Sequence, residues 1–487
     1  MMLSLKKLDQ MEYEKKQKKK VEREIPYFIT IVTLLATSGL GPYFIFKKLT
    51  EINLLSTIKI ESEKILKRID LLGLDPLTAM NQAKDKPSSK ALGEFLSGYV
   101  SAIQSGGNVI NYLKSKMVTA YENYENAQKQ SIEKISGIVH GWLSMQIVIL
   151  ALFIMISAMG SGAISGSTTS TPDSGSQNYL LLVAPAMSIV FLKIVQNMSS
   201  SNINELEIKK IIKFAIPCLL IAAVLVFTNA LSSINANAYI IGGALIAASL
   251  WPALKFKKIY ALNIDAEDST PQILRDITEA RKAGIGPEKC VIQACKRTDY
   301  KLFNPIANAV ANKLEWGIPL KDIFENIQKE LNNFQVLISF RILFEVISSG
   351  GGNVNTLDSL SNTSEKMHTV ELHKRNMLKP YIIVGFMVMA VTAFTTLLVI
   401  SSFEQIEQQK SLGKTLANVN TGNTNSLMEL VSISTIIQSW LAGLFIGKIT
   451  SGTYSGGFLH SIYLILVSFI AIAIIQSGAI DISSILG

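Results

Sequence analysis

Three glycine-containing turns occur twice along the chain, in the same order and at almost the same spacing. The first copy reads Ser38-Gly39-Leu40-Gly41-Pro42, Leu72-Gly73-Leu74-Asp75-Pro76 and Ser105-Gly106-Gly107-Asn108-Val109, and the second reads Ala283-Gly284-Ile285-Gly286-Pro287, Trp316-Gly317-Ile318-Pro319 and Ser349-Gly350-Gly351-Gly352-Asn353-Val354. The later turns follow the first by 34 and 67 residues in one copy and by 33 and 66 in the other. Because glycine can end a helix and proline can begin one, these turns predict one helical module that is used twice.

Long apolar runs separate and follow the two copies. The chain has 487 residues, of which 48% are hydrophobic and 17% charged, against about 25% charged in ordinary soluble domains. A membrane-spanning helix needs about 20 predominantly apolar residues. Seven windows meet this condition: 138–159, 179–198, 211–231, 238–254, 380–403, 430–450 and 457–477. The sequence therefore predicts an all-α polytopic membrane protein with about seven transmembrane helices.

The window 25–46 is also apolar, but we do not count it as a span. The corresponding stretch of the second copy, around 270–290, contains seven charged residues. A span at 25–46 would also place the lysine-rich N-terminus outside, against the usual distribution of positive charge in membrane proteins. We expect an amphipathic helix here, broken at 38–42.

The net charge of +9 is unevenly distributed along the chain. Lysine and arginine cluster in the two modules and beside the spans, which is the pattern that orients membrane proteins. It predicts a multi-pass protein of the cell membrane, with the N-terminus and both modules in the cytoplasm and the C-terminus outside. The positive charge is therefore a topology signal, and no nucleic-acid partner is expected.

The turns and the spans together divide the chain into five parts. They are a basic cytoplasmic N-terminal arm at 1–25, a first module at 26–135, four transmembrane helices at 136–256, a second module at 257–379 and three transmembrane helices at 380–487. Each module has the size of a normal domain and is expected to form an antiparallel helical bundle. Thr270-Pro271 has the composition of a helix start and is expected to open the second module.

Two pairs of small residues lie within the spans. Gly443 and Gly447 are four residues apart, as are Gly243 and Ala247. Because this spacing puts both members of a pair on one face of a helix, each pair predicts a close approach of two helices.

The two copies are similar to a known domain. The stretches ATSGLGPYFIF, LLGLDPLTAM and FLSGYVSAIQSGGNVINYLKSK of the first copy, and ARKAGIGPEKC, EWGIPLKDIF and ISFRILFEVISSGGGNVNTL of the second, resemble the F domain of type II secretion and type IV pilus platform proteins. The resemblance covers about 26–125 and 270–379, and the alternation of modules and spans extends it to nearly the whole chain. Four spans between the modules and three after them look more like the archaeal members, which serve the archaellum or archaeal adhesion pili. The residues do not separate these two uses.

The resemblance implies a membrane platform protein rather than an enzyme. Such a protein would couple a cytoplasmic hexameric secretion ATPase to the insertion of pilin-like or archaellin-like subunits, in contact with membrane lipid and as a homodimer. For the ATPase contact we single out basic residues beside the spans, which would dock onto an acidic surface: Lys209, Lys210, Lys255, Lys257, Lys258, Arg375 and Lys379. The alternative role of these residues is to set the topology and to contact lipid headgroups.

No arrangement typical of catalysis or of metal binding stands out in the sequence. The four histidines have no metal-ligand spacing with carboxylates, and Cys218, Cys290 and Cys295 are expected to be small buried residues. We therefore expect no catalytic residue, no cofactor and no metal. A transporter would need ionisable groups in the middle of its spans, which the seven windows lack. A membrane scaffold or receptor with no filament role stays open as the alternative.

Overall fold

The computed structural model is helical, as the sequence predicts. It describes residues 2–84, 89–160, 174–198, 236–297, 299–412 and 422–476, and the single positions 203, 211, 217 and 221. The regular elements in these ranges are α-helices, apart from a short 3-10 segment at Lys301–Phe303. The all-α fold class is therefore confirmed for the described residues.

The helices of the described residues are numbered in chain order. The first half of the chain contains α1 (Met2–Thr37), α2 (Pro42–Thr50), α3 (Ser56–Leu72), α4 (Pro76–Lys84), α5 (Lys90–Gln104), α6 (Val109–Gly160) and α7 (Ser174–Met198). The second half contains α8 (Ala236–Lys282), α9 (Pro287–Cys295), α10 (Asn304–Glu315), α11 (Leu320–Glu330), α12 (Phe334–Ser348), α13 (Val354–Leu378), α14 (Pro380–Leu412), α15 (Gly422–Ser451) and α16 (Gly457–Gln476).

The chain divides into two compact units, each assembled from two separate stretches of sequence. The first unit is Met1–Lys129 with Ala261–His373, and the second is Gln130–Tyr260 with Lys374–Gly487. All three crossings from one unit to the other lie inside helices, namely α6, α8 and α13. The predicted module limits at 135 and 256 likewise lie inside α6 and α8. The assignment of the five parts of the chain stays a prediction.

The repeated turns have the same backbone conformation in both copies. Six glycines, one pair for each turn, have a left-handed backbone: Gly39 and Gly284 (φ 89° and 87°), Gly73 and Gly317 (65° and 72°), and Gly106 and Gly350 (66° and 75°). A side chain is strained in this region and glycine is not, so each of these glycines ends the helix before it. The next glycines of the first turn, Gly41 and Gly286, have φ of −75° and −61° and precede the prolines that begin α2 and α9.

The two modules of the first unit share one hydrophobic core, and α1 lies inside it. Residues 24–35 of α1 are all buried. The ring of Phe28 packs against that of Phe95 from the first module, with 5.2 Å between their centroids. The ring of Tyr27 meets that of Phe334 from α12 edge to face, also at 5.2 Å. One segment of α1 is therefore covered by both copies of the module.

The expectation of an amphipathic helix at 25–46 is wrong in one respect. The chain is broken between α1 and α2 as predicted, but the apolar residues of α1 point in every direction because both modules cover it. A helix that is apolar all round is a buried helix, in a protein core or in a membrane, and composition does not distinguish the two. Among the described residues, α1 is not one of the helices apolar enough to cross a membrane.

The second module does not open with a new helix at Thr270-Pro271, and that prediction is wrong. Helix α8 continues through both residues. The hydroxyl of Thr270 donates to Ala266 O at 2.6 Å, within the same helix, instead of capping a helix start. Pro271 removes one backbone hydrogen bond from α8. The neighbouring Ala266 and Ile273 are fully buried in the core of the first unit, and this packing holds the helix together.

The second unit contains the apolar segments predicted to cross the membrane. Five helical stretches of the described residues are long and apolar enough to do so: Val109–Met155, Asn237–Lys282, Val354–Val399 (α13 and α14 taken together), Glu429–Ser451 and Gly457–Ile475. They overlap five of the seven predicted windows, and these five are confirmed as long apolar helices. The window 179–198 corresponds to a shorter described apolar helix, Val183–Gln196. The window 211–231 lies outside the described ranges, so the total of seven stays a prediction.

One of the two predicted pairs of small residues brings two helices together. A side chain on Gly443 would overlap the backbone of Ser461, and one on Gly447 would overlap the backbone of Gly457. The backbones of α15 and α16 therefore approach as closely as the sequence predicts.

The prediction for the other pair, Gly243 and Ala247, is wrong by one residue. Gly243 and Ala247 are exposed, whereas the preceding residue, Gly242, is buried and lies against the ring of Phe469. A step of one residue turns the direction of a side chain by about 100° around a helix, so the contact face of α8 is the neighbouring one.

A buried carboxylate from α1 caps the start of α3, and removing it is expected to destabilise the first unit. The residue at the cap position of α3, Leu55, has no side-chain oxygen, and Glu24 accepts hydrogen bonds from Thr57 N (3.0 Å) and Ile58 N (2.9 Å) instead. Burial raises the pKa of Glu24 although these bonds act in the opposite direction. We expect Glu24→Ala to lower the free energy of unfolding by about 2 kcal/mol, because two backbone donors lose their acceptor.

The measurement for the Glu24→Ala variant is thermal unfolding of the purified full-length protein in detergent, followed by circular dichroism. The matched control is Glu22→Ala, which removes an exposed carboxylate from the same helix. Equal melting temperatures for the two variants would show that the cap does not stabilise the fold.

Candidate functional site

Three of the predicted docking residues, Lys255, Lys257 and Lys258, lie on about one turn of α8 and are exposed. The ammonium group of Lys255 lies 5.0 Å from the ring centroid of Trp251, a cation–π contact. Phe256 lies between the lysines in sequence and is buried, which fixes the rotation of the helix. At about 100° per residue, Lys255 and Lys258 share a face and Lys257 points to the other side of Phe256.

Two further docking residues, Arg375 and Lys379, lie where α13 ends and α14 begins. Lys379 N donates to Arg375 O at 3.0 Å, and Pro380 is the first residue of α14. Lys379 is exposed and Arg375 is half-buried. The structure thus places these two cations one helical turn apart, on a different helix from the three lysines of α8. Lys209 and Lys210 lie outside the described residues. The docking role of all seven residues stays a prediction.

A buried charge cluster that the sequence analysis did not single out joins the two modules. The Glu345 carboxylate on α12 lies 2.9 Å from Lys48 Nζ of α2 and 3.0 Å from Arg341 Nη2. The guanidinium of Arg341 also lies over the ring of Phe324, 5.5 Å from its centroid. Because buried charges are costly unless they are paired, Glu345 stabilises two cations at the contact between the copies.

A signal for this cluster was present in the sequence. Arg341 and Glu345 are four residues apart in a stretch that is otherwise almost entirely apolar, so they form an i, i+4 pair on one face. In the structure 13 of the 15 residues of α12 are buried, these two among them. Two opposite charges at helical spacing inside an apolar segment were therefore the sign of a buried ion pair.

A polar cluster also lies between the helices of the second unit. Ser188 Oγ on α7 accepts hydrogen bonds from Gln438 Nε2 on α15 (2.9 Å) and from Gln146 Nε2 on α6 (3.3 Å). The indole Nε1 of Trp142 approaches the same oxygen at 3.4 Å. All four side chains are buried. Gln146 and Gln438 lie near the middle of the predicted windows 138–159 and 430–450. They were not predicted as a polar cluster, because an amide is not ionisable.

The cysteine prediction is confirmed for the two described cysteines. Cys290 and Cys295 are buried and free. Burial raises the pKa of Cys295 to about 12, so its thiol does not ionise at neutral pH. Cys218 lies outside the described residues.

One histidine of the described residues lies near a carboxylate: His368 Nδ1 is 3.9 Å from Asp268 Oδ1. Across the described part of the chain, no three His, Cys, Asp or Glu side chains form a group that could hold a metal ion.

Comparison with known proteins identifies one domain. Residues 273–401 match the family model of type II secretion system (T2SS), protein F. An uncharacterised protein of Methanocaldococcus jannaschii is 19% identical over 481 residues, which cover 93% of this chain and 79% of that protein. No solved structure matches the chain.

The matched range has a clear place in the fold. It begins within α8, includes α9 to α13, and continues into the apolar helix α14. The range contains Arg375 and Lys379 of the predicted docking residues, and also Arg341 and Glu345. The first module lies outside it, although its three turns have the same left-handed glycines. Residues 273–401 therefore carry a type II secretion system protein F domain.

Proposed function

We propose that the chain is the membrane platform protein of an archaeal type IV filament machine, either an archaellum or an adhesion pilus. In this role it couples a cytoplasmic hexameric secretion ATPase to the insertion of pilin-like or archaellin-like subunits, and it is not an enzyme. The F domain at 273–401 supports the platform role. Similarity to a protein of Methanocaldococcus jannaschii along 93% of the chain supports the archaeal branch.

The observation that carries the proposal is the continuity of the helices that leave the first unit. Helix α6 extends from the third turn of the first module into an apolar segment, and α8 joins an apolar segment to the second module. Helix α13 is followed by the apolar helix α14 after a single residue, Lys379. Hydrogen-bonded helices therefore replace flexible linkers at all three crossings. This is the construction expected of a protein that transmits movement from an ATPase to membrane-embedded subunits.

The proposed orientation follows from the distribution of charge. The first unit and the basic residues beside the spans would face the cytoplasm, and the C-terminus would lie outside. The protein would act as a homodimer in contact with membrane lipid.

Deletion of the gene tests the proposed function. Surface filaments are counted by electron microscopy and swimming is scored in the same cells, under conditions in which the gene is expressed. We expect one class of filament to disappear and to return when the wild-type gene is restored. Lost swimming with intact adhesion pili would assign the archaellum, and the converse would assign the pilus. Unchanged filaments of every class would contradict the platform role and favour a scaffold.

Charge reversal tests the docking residues on α8. We expect replacement of Lys255, Lys257 and Lys258 by glutamate to weaken co-purification of the ATPase about tenfold, because attraction to an acidic surface becomes repulsion. The matched control reverses three exposed lysines of the first unit: Lys289, Lys321 and Lys329. Unchanged ATPase recovery from the α8 variant, with normal membrane insertion, would show that these lysines serve only topology and lipid contact.

A further inference from the structure

One exposed face of α10, the α10 face, has a large apolar side chain at each end. Leu302 lies just before the helix and is 53% exposed, and Trp316 lies just after it and is 77% exposed. Fourteen residues at about 100° each come within about 40° of four full turns, so both side chains project from one side of the helix. Pro305, Ala309 and Asn312 lie between them at helical spacing and complete an uncharged face. A large exposed tryptophan and leucine on one face are typical of a contact surface.

Both ends of the α10 face are held in place. Lys301 has φ of 48° and is the non-glycine residue with a left-handed backbone among the described residues. A strained residue of this kind persists where its surroundings hold it, and here Asp265 of α8 does so. Its carboxylate accepts from Leu302 N at 3.3 Å and lies 3.9 Å from the Lys301 ammonium. At the other end, Trp316 N donates to Asn312 O at 3.1 Å, so Trp316 continues the helix.

The α10 face is complementary to itself. Leu302 and Trp316 are each seven residues from Ala309. If two copies of α10 cross antiparallel, with a two-fold axis at Ala309, each Trp316 meets Leu302 of the second copy. The small side chain of Ala309 lets the two helices approach closely at the axis.

The charges beside the α10 face fit the same arrangement. Lys301 lies next to Leu302, Glu315 lies next to Trp316, and both charged side chains are exposed. An antiparallel crossing brings Lys301 of one copy near Glu315 of the other. A parallel crossing would bring like charges together, so the antiparallel one is favoured.

The corresponding helix of the first module, α3, does not have this property. Like α10, it precedes the second turn of its module, and Ile60 and Leu71 are exposed along it. Two exposed lysines, Lys64 and Lys67, lie between them. Two copies of α3 that crossed in the same way would bring four lysines together, and these would repel. Of these two helices, α10 is the one suited to pair with itself.

We propose that the α10 face binds the α10 face of a second copy of this chain, antiparallel, with each Trp316 against Leu302 of the second copy. This inference rests on the proposed function, in which the protein is a homodimer, and it names the contact. A standard interface uses about 20–30 residues on each side, and the α10 face has fewer. The contact is therefore weak in free solution, and it is sufficient between copies held in one membrane, where the effective concentration is high.

Disulfide cross-linking of the full-length protein in membranes tests the arrangement. Cys290 and Cys295 are buried, and Cys218→Ser is the parent of every variant and measures the background. Ala309→Cys places two thiols together at the two-fold axis. Asn312→Cys, on the same face, places them at least about 9 Å apart, too far for a disulfide. We expect about tenfold more covalent dimer from Ala309→Cys than from Asn312→Cys under mild oxidation.

A charge in the α10 face tests the contact without cysteines. The fraction of dimer is measured for the full-length protein in membranes by single-molecule photobleaching. We expect Trp316→Glu to lower the association constant at least about tenfold, as is usual for loss of a tryptophan buried in an interface. Leu302→Glu is expected to do the same and decides the result if Trp316→Glu fails to fold. The matched control is Leu72→Glu, which changes the residue before the second turn of the first module, 69% exposed, and should leave the dimer intact.

Two results would overturn the proposal. One is a dimer that survives both Trp316→Glu and Leu302→Glu, and the other is equal cross-linking of Ala309→Cys and Asn312→Cys. If Trp316→Glu lowers recovery of the ATPase and leaves the dimer unchanged, the proposal is overturned and the α10 face is assigned to the ATPase.

The outcome is separable from that of the gene deletion. If deletion abolishes filaments and the dimer does not depend on Trp316, the proposal for the α10 face alone fails. If the dimer depends on Trp316 and deletion leaves every class of filament intact, the proposed function alone fails, and the pairing serves another role.

Discussion

Replacement of Glu345 by glutamine is expected to lower the free energy of unfolding of the first unit by about 3–5 kcal/mol. The carboxylate lies 2.9 Å from Lys48 Nζ and 3.0 Å from Arg341 Nη2, and the Arg341 side chain is only 9% exposed. Removal of one partner of a buried pair has a cost of this size, because the other charge stays buried without compensation. Lys48 contributes less to the loss, since a third of its side chain is exposed and water screens its charge.

The matched control for this prediction is Glu51→Gln. Glu51 also lies near Lys48, at 3.9 Å, but its side chain is 48% exposed, so its loss is expected to change stability by less than about 0.5 kcal/mol. A double variant, Glu345→Leu with Arg341→Met, should recover much of the stability, because no unpaired charge is left in the core. Thermal unfolding of the purified full-length protein measures the change in stability for Glu345→Gln, for Glu51→Gln and for the double variant. A Glu345→Gln variant as stable as Glu51→Gln would contradict the assigned role of the carboxylate.

Local unwinding of α6 at its crossing between the units is expected to abolish filament assembly. Lys129, Gln130, Glu133 and Lys134 are exposed on this helix, so glycines at these positions remove no core packing. Each glycine costs a helix interior about 1 kcal/mol relative to alanine, so four cost about 4 kcal/mol. If movement is transmitted along α6, a flexible joint at this place interrupts it while both units still fold.

The matched control places alanine at the same four positions. It removes the same side chains, including the Lys129–Glu125 ion pair, and differs from the glycine variant in backbone freedom alone. Filaments are counted by electron microscopy in cells that produce each variant at equal levels in the membrane. Equal counts for the glycine and alanine variants would refute a mechanical role for the continuity of α6.

The turns of both modules could be predicted from the sequence because they are local. Glycine tolerates the left-handed backbone that ends a helix, as at Gly39 and Gly284, and a proline three residues later marks the start of the next helix, so the order of a few neighbouring residues is enough to predict the turn. The long apolar helices could be predicted for the same reason, since length and composition are properties of one segment.

The features that the sequence did not predict depend on what lies beside a helix. The burial of α1 on every side follows from Phe334 of the second module and Phe95 of the first meeting on it. The error at Gly243 is one of rotation, which packing against Phe469 decides and composition does not. The hydrogen bond between Gln438 and Ser188 joins residues 250 positions apart, so no local sequence pattern predicts it.

The discontinuity of the first unit imposes an order on its folding. Its two stretches are separated by Gln130–Tyr260, and α1 leaves the ribosome long before α12, against which it packs. At a synthesis rate of about 5–20 residues per second, translation of this intervening segment takes about 7–26 s. For that time the apolar surface of α1 that α12 later covers has no partner in the nascent chain. The first unit therefore cannot be completed until the first apolar helices of the second unit have been made.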